Sequence, residues 1–312
     1  MKRIVAIILV MILVIASVGC SKSDEETKEK IVIAEQFGLA YAPLQIMKEK
    51  GFLDESLPNY QIEWVKLGNT AAIREAILAD ALDVGFLGIP PFLIGYDKGM
   101  EWGIFTGLSS APLGLVSNDS EIKGLEDIKR TDRIALPQPG SIQHILLSMA
   151  AEKTFGQADY FDQQLVTMKH PDGMNALLSQ GDVRLHYTSP PFLFEELKEE
   201  SLSLVVDGET CFGGDFTFIV GMTTETFKED QKAYDALVQG VEEAVLFMKD
   251  HPDETIDILS KYYDYDLDTL KNYVYEQNIV YSTEVKGLES FIDFMTKNEL
   301  IEQPIQTEAI LW

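Results

Sequence analysis

Two hydrophobic periods alternate along this chain. Short segments of β-branched, aromatic and aliphatic residues at 30–34, 61–67, 84–87, 102–108, 113–116, 134–137, 166–168, 202–206 and 216–222 have the length and composition of strands. Between several of them apolar residues recur three and four apart, as at Ala72, Ile73, Ala76, Ile77 and Ala81. That spacing puts one apolar stripe on one face of a helix. From residue 228 onward the helical period takes over. Ala233, Leu237, Val241, Ala244, Val245 and Met248 make one stripe, and 255–263, 267–277 and 288–298 predict three more helices. Strands alternating with helices predict an α/β fold with mostly parallel sheets.

The boundaries between elements carry the functional signal. In the stretch 68–99, Asn69 or Thr70 is placed to cap a helix, and the next strand ends in Gly88-Ile89-Pro90-Pro91. A proline pair cannot continue a central strand, so the chain must turn there into another helix. Pro43 suits the first turn of a helix that stops at Gly51, and Ser141 is a natural cap for the apolar helix that follows it. In such folds the loops at the carboxyl ends of parallel strands line a ligand crevice, and helix N-termini direct free N–H groups into it. The candidate ligand-binding residues are therefore Gln36, Tyr41 and Ala42 after the first strand, Asn69 and Thr70 after the second, and Gly88, Ile89 and Pro90 after the third. Ser141 and Gln143, then His186, Thr188 and Ser189, come from the later part of the chain. Gly88 is expected to tolerate no side chain, so that backbone N–H groups can approach a ligand.

Several of these motifs carry a resemblance. Tyr41-Ala42-Pro43-Leu44 followed by Lys48-Glu49-Lys50-Gly51-Phe52-Leu53, the Glu75-Ala76-Ile77-Leu78 helix with Asp83-Val84-Gly85-Phe86, the 122–128 segment read as a helix, Gly140-Ser141-x-x-His144, and the 171–183 block resemble the substrate-binding proteins of ABC importers in the nitrate, sulfonate and taurine group. The resemblance implies a two-lobed type II periplasmic-binding fold, each lobe a mostly parallel sheet flanked by helices. It places lobe 1 at 31–113, lobe 2 at 114–206, and a return to lobe 1 with the C-terminal helices at 207–312. Hinge crossings fall near 109–117 and at 211–214. It further implies a monomer that binds a small molecule, works with an ABC permease and ATPase, uses no cofactor and is not an enzyme. Many members read Trp-x-x-Trp-x-Pro-Phe where this chain has His186-Tyr187-Thr188-Ser189-Pro190-Pro191-Phe192. A small organic anion of sulfonate, nitrate or carboxylate type is the leading ligand, and a thiamine-precursor-like heterocycle stays open beside it.

The chain's start adds a location. Lys2 and Arg3 precede an apolar run at 4–14, and Ser17-Val18-Gly19-Cys20 resembles the lipobox at which a bacterial signal is removed. Residues 1–19 then form a signal peptide, Cys20 carries lipid, and 20–30 is a polar tether holding the protein on the extracytoplasmic face of the membrane. Cys211 remains as a lone packed thiol, without a partner for a disulfide.

Composition narrows the partners. The 312-residue chain carries 51 acidic and 25 basic side chains, a net −26, which repels nucleic acid and makes any anion site depend on local N–H groups. No zinc-protease, Walker, nucleophile-elbow or dinucleotide motif is present. Histidines at 144, 170, 186 and 251 are read as hydrogen-bonded structural residues, with His144 and His186 standing beside predicted cleft loops. Two other classes compete with the binding protein: a menaquinone-pathway-type enzyme of the same fold, and a membrane-tethered sensor.

Overall fold

The computed structural model describes residues 29–312. The predicted signal peptide, Cys20 and the tether up to residue 28 lie outside the described residues. Glu29, assigned above to the tether, opens the first strand, one residue ahead of the expected start at Lys30.

Two sheets organise the chain. The first holds β1 (Glu29–Glu35), β2 (Tyr60–Lys66), β3 (Val84–Gly88), β4 (Trp102–Ser110), β10 (Ile219–Thr224) and β11 (Val280–Tyr281), in the order β11-β4-β10-β3-β1-β2. The second holds β5 (Gly114–Ser117), β6 (Arg133–Leu136), β7 (Leu165–Thr167), β8 (Val183–Thr188) and β9 (Ser203–Asp207), ordered β7-β6-β8-β5-β9. β1 pairs parallel with β2 from Glu29↔Tyr60 to Glu35↔Lys66, and β6 pairs parallel with β7 and β8. β10 runs antiparallel between β3 and β4, and β5 antiparallel between β8 and β9. Most strands of each lobe thus point one way; β10 and β5, the strands by which the chain enters from the other lobe, are reversed, and so is the short β11, which runs antiparallel to β4.

Local chemistry explains where the elements stop. The Ala42–Lys50 helix ends at Gly51, whose φ of 68° is the left-handed conformation that closes a helix. The long Gln231–Asp250 helix buries Ala233, Leu237, Val241, Ala244 and Met248 against the helices at Ala42–Lys50 and Phe52–Ser56, as its period requires. Phe92, on the Ile89–Asp97 helix, stacks on the buried ring of Trp102 at 5.2 Å.

Three expectations need correction. The helix expected at 122–128 is a single 3₁₀ turn, Leu125–Asp127, because the Asp127 carboxylate accepts from the N–H groups of Lys123 (2.9 Å) and Gly124 (3.0 Å) and closes the segment on itself. Cys211 and Phe212, expected in an irregular return, belong instead to a short helix, Gly208–Phe212, capped by Asp207, and the irregular stretch begins only at Gly213. The strand expected from 216 starts at Ile219, since Thr217 donates its N–H to the Lys286 carbonyl and Phe218 donates to that of Ser109.

The Phe92–Trp102 contact depends on a residue with no side chain. A Cβ at Gly95 would overlap the Trp102 ring, and overpacking of this kind costs about 1–3 kcal/mol. Gly95→Ala should therefore lower the unfolding free energy by that amount, seen as a lower urea midpoint at an unchanged slope by tryptophan fluorescence.

Candidate functional site

The carboxyl ends of the parallel strands in both sheets converge on one cavity of about 40 Å³. Its wall takes Gln36, Phe37 and Tyr41 from the loop after β1, Gly68 and Thr70 after β2, and Gly88 and Pro91 after β3. The other lobe contributes Pro137, Gln138, Ser141, Ile142 and Gln143 after β6 and His170 after β7, while Phe218 and Ile219 come from the start of β10. No Asp, Glu, Lys or Arg lies among them. A buried water needs roughly 10–15 Å³ of such space, so this cavity holds only a few water-sized groups. An organic ligand requires the lobes to part or the lining side chains to turn aside.

Two helix N-termini from opposite lobes meet here. Asn69 caps the Thr70–Leu78 helix by accepting from Ala72 N–H at 3.0 Å, and the next free donor, Ala71 N–H, reaches across to Gln138 Oε1 at 3.1 Å. Ser141 caps the Ile142–Phe155 helix through His144 N–H. Gln36 donates to Thr70 Oγ1 (3.4 Å) and the Phe86 carbonyl (3.2 Å), which orients it at the wall. Leu39 N–H donates to the Pro190 carbonyl at 3.1 Å, a second bond between the lobes. Gly38 permits it, with φ at 122° and space for a Cβ only 2.8 Å from that oxygen.

Of the residues singled out from sequence, Gln36, Tyr41, Thr70, Gly88, Ser141 and Gln143 line the cavity. Ala42, Asn69, Ile89, Pro90, His186, Thr188 and Ser189 stand behind or beside it, with Asn69 committed to its cap. The backbone itself does not require glycine at position 88. Its φ is −70°, and a Cβ would sit 3.4 Å from Ile142 Cβ, an ordinary contact. Pro90 and Pro91 also leave that helix end poor in donors. Phe37, Gln138, Phe218 and above all His170 were not foreseen as wall residues; only their position next to strand ends could have marked them.

His170 is the outer end of a buried chain. Its Nε2 lies 3.2 Å from the Gln143 amide and 3.3 Å from Ser189 Oγ, and its Nδ1 lies 3.2 Å from His186 Nε2. His186 Nδ1 in turn is 2.6 Å from Glu196 Oε1. Burial pushes His186 down to about 3, pushes His170 well below the usual histidine range, and pushes the Glu196 carboxyl up to about 9. Glu196 Oε2 is buried without a partner among the described residues, which further disfavours an ionised carboxylate. The cluster is therefore neutral at pH 7, with the proton on Glu196. His144 is separate: Nδ1 accepts from Gly140 N–H at 2.9 Å, so Nε2 carries the proton and donates to Asp162. Cys211 is buried under the Tyr187 hydroxyl, and burial holds its thiol up at about 11, which fits the packed role expected of it.

Comparison with known proteins places the chain. A model of the NMT1-like family matches residues 24–262. The chain belongs to the NMT1-like family. A Bacillus subtilis (strain 168) protein assigned as an aliphatic sulfonates-binding protein is 24% identical over 324 residues, covering 100% of this chain and 95% of that one. The alkanesulfonate-binding protein SsuA from Xanthomonas axonopodis pv. citri, solved bound to MOPS, superposes with a TM-score of 0.76 at 17% identity, covering 91% of this chain and 98% of its own. The periplasmic aliphatic sulphonate binding protein SsuA from Escherichia coli gives 0.70 at 19% identity, covering 91% and 92%. The NMT1-like chain thus has the two-lobed type II periplasmic-binding fold. Among its described residues no helix is long and apolar enough to cross a membrane, and no group of His, Cys, Asp and Glu could hold a metal ion.

Two measurements check the local assignments. Asn69→Ala should cost about 1 kcal/mol of stability through loss of the cap, read by urea denaturation. The buried cluster sets a pH dependence whose sign follows from its shifts. Above the ordinary histidine value of 6.5 the folded chain holds one proton more than the unfolded chain, on Glu196. The cluster's stabilising contribution therefore falls by up to about 1.4 kcal/mol per pH unit until Glu196 ionises near 9. Below 6.5 the unfolded histidines bind two protons that the buried ones refuse, so the contribution falls again as pH drops. Denaturation of the parent and of Glu196→Gln across this range should find the alkaline decline in the parent and not in the variant.

Proposed function

We propose that this protein is the solute-binding component of an ABC uptake system, held by lipid on Cys20 at the extracytoplasmic face, and that it captures a small organic anion, of sulfonate class first, between its lobes. The stretches that build the first sheet, 29–110 and 219–312, act as one lobe, and the stretch that builds the second, 114–207, acts as the other. The observation that carries this reading is the convergence of two helix N-termini from opposite lobes on a cavity with no charged side chain in its wall. Helix N–H groups favour an anion, and no carboxylate is present there to repel one. Sulfonate binding by the named relatives points to the same ligand class. Capture needs no covalent step, and a ligand touching both walls stabilises the closed state over the open one. The monomer delivers its ligand to a permease and ATPase.

A second ligand class draws support from Phe37, Tyr41 and Phe218 at the cavity. These rings suit a flat heterocycle such as a thiamine-precursor-like pyrimidine.

A thermal-shift panel of alkanesulfonates, nitrate, small carboxylates and pyrimidines on residues 24–312 separates the two classes. Saturation at 100 times the dissociation constant should add about 2.7 kcal/mol, and Gln36→Ala and Thr70→Val should each weaken anion binding by about 1–3 kcal/mol. A shift with pyrimidines and none with any anion would overturn the anion reading. For the anchor, labelled fatty acid should enter the parent in a bacterial host and not Cys20→Ser; label kept in that variant would refute lipidation at Cys20.

A further inference from the structure

The chain Glu196–His186–His170 runs from a fully enclosed carboxyl to the wall of the cleft, and every link is a hydrogen bond between groups that can hold a proton on either side. Its members are 0%, 0% and 7% exposed. Gly173 packs against His186 so closely that a Cβ would lie 2.6 Å from Nε2, and Phe192 stacks on His170 at 5.7 Å. The rings are thus held in one orientation, and within the Glu196–His186–His170 chain itself only the protons rearrange.

Two arrangements satisfy the geometry. With Glu196 ionised, His186 donates from Nδ1 to the carboxylate, His170 donates from Nδ1 to His186 Nε2, and His170 Nε2 turns a lone pair to Gln143, Ser189 and the cavity. With Glu196 protonated, the carboxyl donates to His186 Nδ1, His186 donates from Nε2 to His170 Nδ1, and His170 Nε2 carries an N–H. Conversion of the first into the second takes in one proton at His170 Nε2. The His170 Nδ1 proton moves to His186 Nε2, the His186 Nδ1 proton moves to Glu196, and the Gln143 amide turns over so that its oxygen accepts.

We propose that this buried chain sets the hydrogen-bond polarity of the cleft: one proton stored on Glu196 makes His170 Nε2 a donor to an anionic head group, so that anion capture and retention of that proton are coupled. The inference rests on the anion reading above and adds His170 as a ligand-contacting residue, with His186 and Glu196 as positioning residues acting through it. Other charged groups on the packed elements do not join the chain. Lys169, Asp172, Asp182 and Lys198 are exposed, and Arg184 is half-buried two residues before His186. Glu195 is bonded to Tyr273 and Lys198, and His144 is bonded to Asp162. β5, which packs on the Phe192–Lys198 helix, carries no titratable side chain. Across the cavity stands Tyr41, whose phenol burial keeps protonated. Burial also favours the neutral, outward-donating arrangement at pH 7.

Long-range ¹H–¹⁵N spectra of histidine-labelled protein at about pH 7 and about pH 10 read the tautomers directly, without any ligand. His170 and His186 should both be Nε2–H at the lower pH and Nδ1–H at the higher, with no change of tautomer in Glu196→Gln. Nδ1–H tautomers at the lower pH, or an imidazolium at either ring, would overturn the proposal whether or not the variant folds. Ethanesulfonate affinity should fall about tenfold per pH unit above the Glu196 titration in the parent and show no such fall in Glu196→Gln. Identical pH profiles in the two proteins would refute the coupling while leaving the anion reading intact. Absence of ethanesulfonate binding to either protein, with the tautomer switch present, would refute the sulfonate reading and keep the relay.

Discussion

β5 and β10 each enter a sheet at the cleft and run away from it, so they pair antiparallel with neighbours whose carboxyl ends face the cleft. This reversal lets one chain pass twice between two sheets while every parallel strand still delivers its end to the same place. Loops that follow those ends then face one another, and helices that begin there point their N-termini inward. The cross-cleft bonds from Ala71 to Gln138 and from Leu39 to Pro190 are consequences of that arrangement.

A second constraint is charge. The chain is strongly acidic, yet no Asp, Glu, Lys or Arg lines the cavity, and the buried carboxyl of Glu196 is linked to its wall through two imidazoles. Low dielectric makes each charge in that chain expensive. Neutrality is thus enforced by burial, and what remains adjustable is the direction in which the hydrogen bonds run. A pocket built from backbone N–H groups, amides, hydroxyls and one ring nitrogen selects ligands by charge and hydrogen-bond polarity more than by paired ions.

The fold was largely legible in the residues, because each element carried its own local signal. Pro43 and Gly51 bracketed a helix, the apolar run at 84–87 met a proline pair, and the stripe from Ala233 to Met248 had one unbroken helical period. Legibility failed where a side chain closed a turn locally, as Asp127 does, or where a two-residue strand such as Val280–Tyr281 exists only because β4 offers it a free edge. Within the site, residues at strand ends were readable as a class. Their division into wall and support was not. Asn69 and Ser141 have the same cap chemistry, and only packing leaves Ser141 at the cavity and Asn69 off its wall.

The sequence by itself determined the α/β alternation, most element boundaries and the set of loops from which a site could be made, since period, caps and breakers act over a few residues. Only the tertiary structure decided that His170, His186 and Glu196, spread over 27 positions, form one buried chain ending at the cleft. Their linkage comes from β7 and β8 flanking β6 and from a helix laid over that sheet, and burial then sets their protonation. Neither long-range pairing nor desolvation leaves a mark on the local pattern of residues.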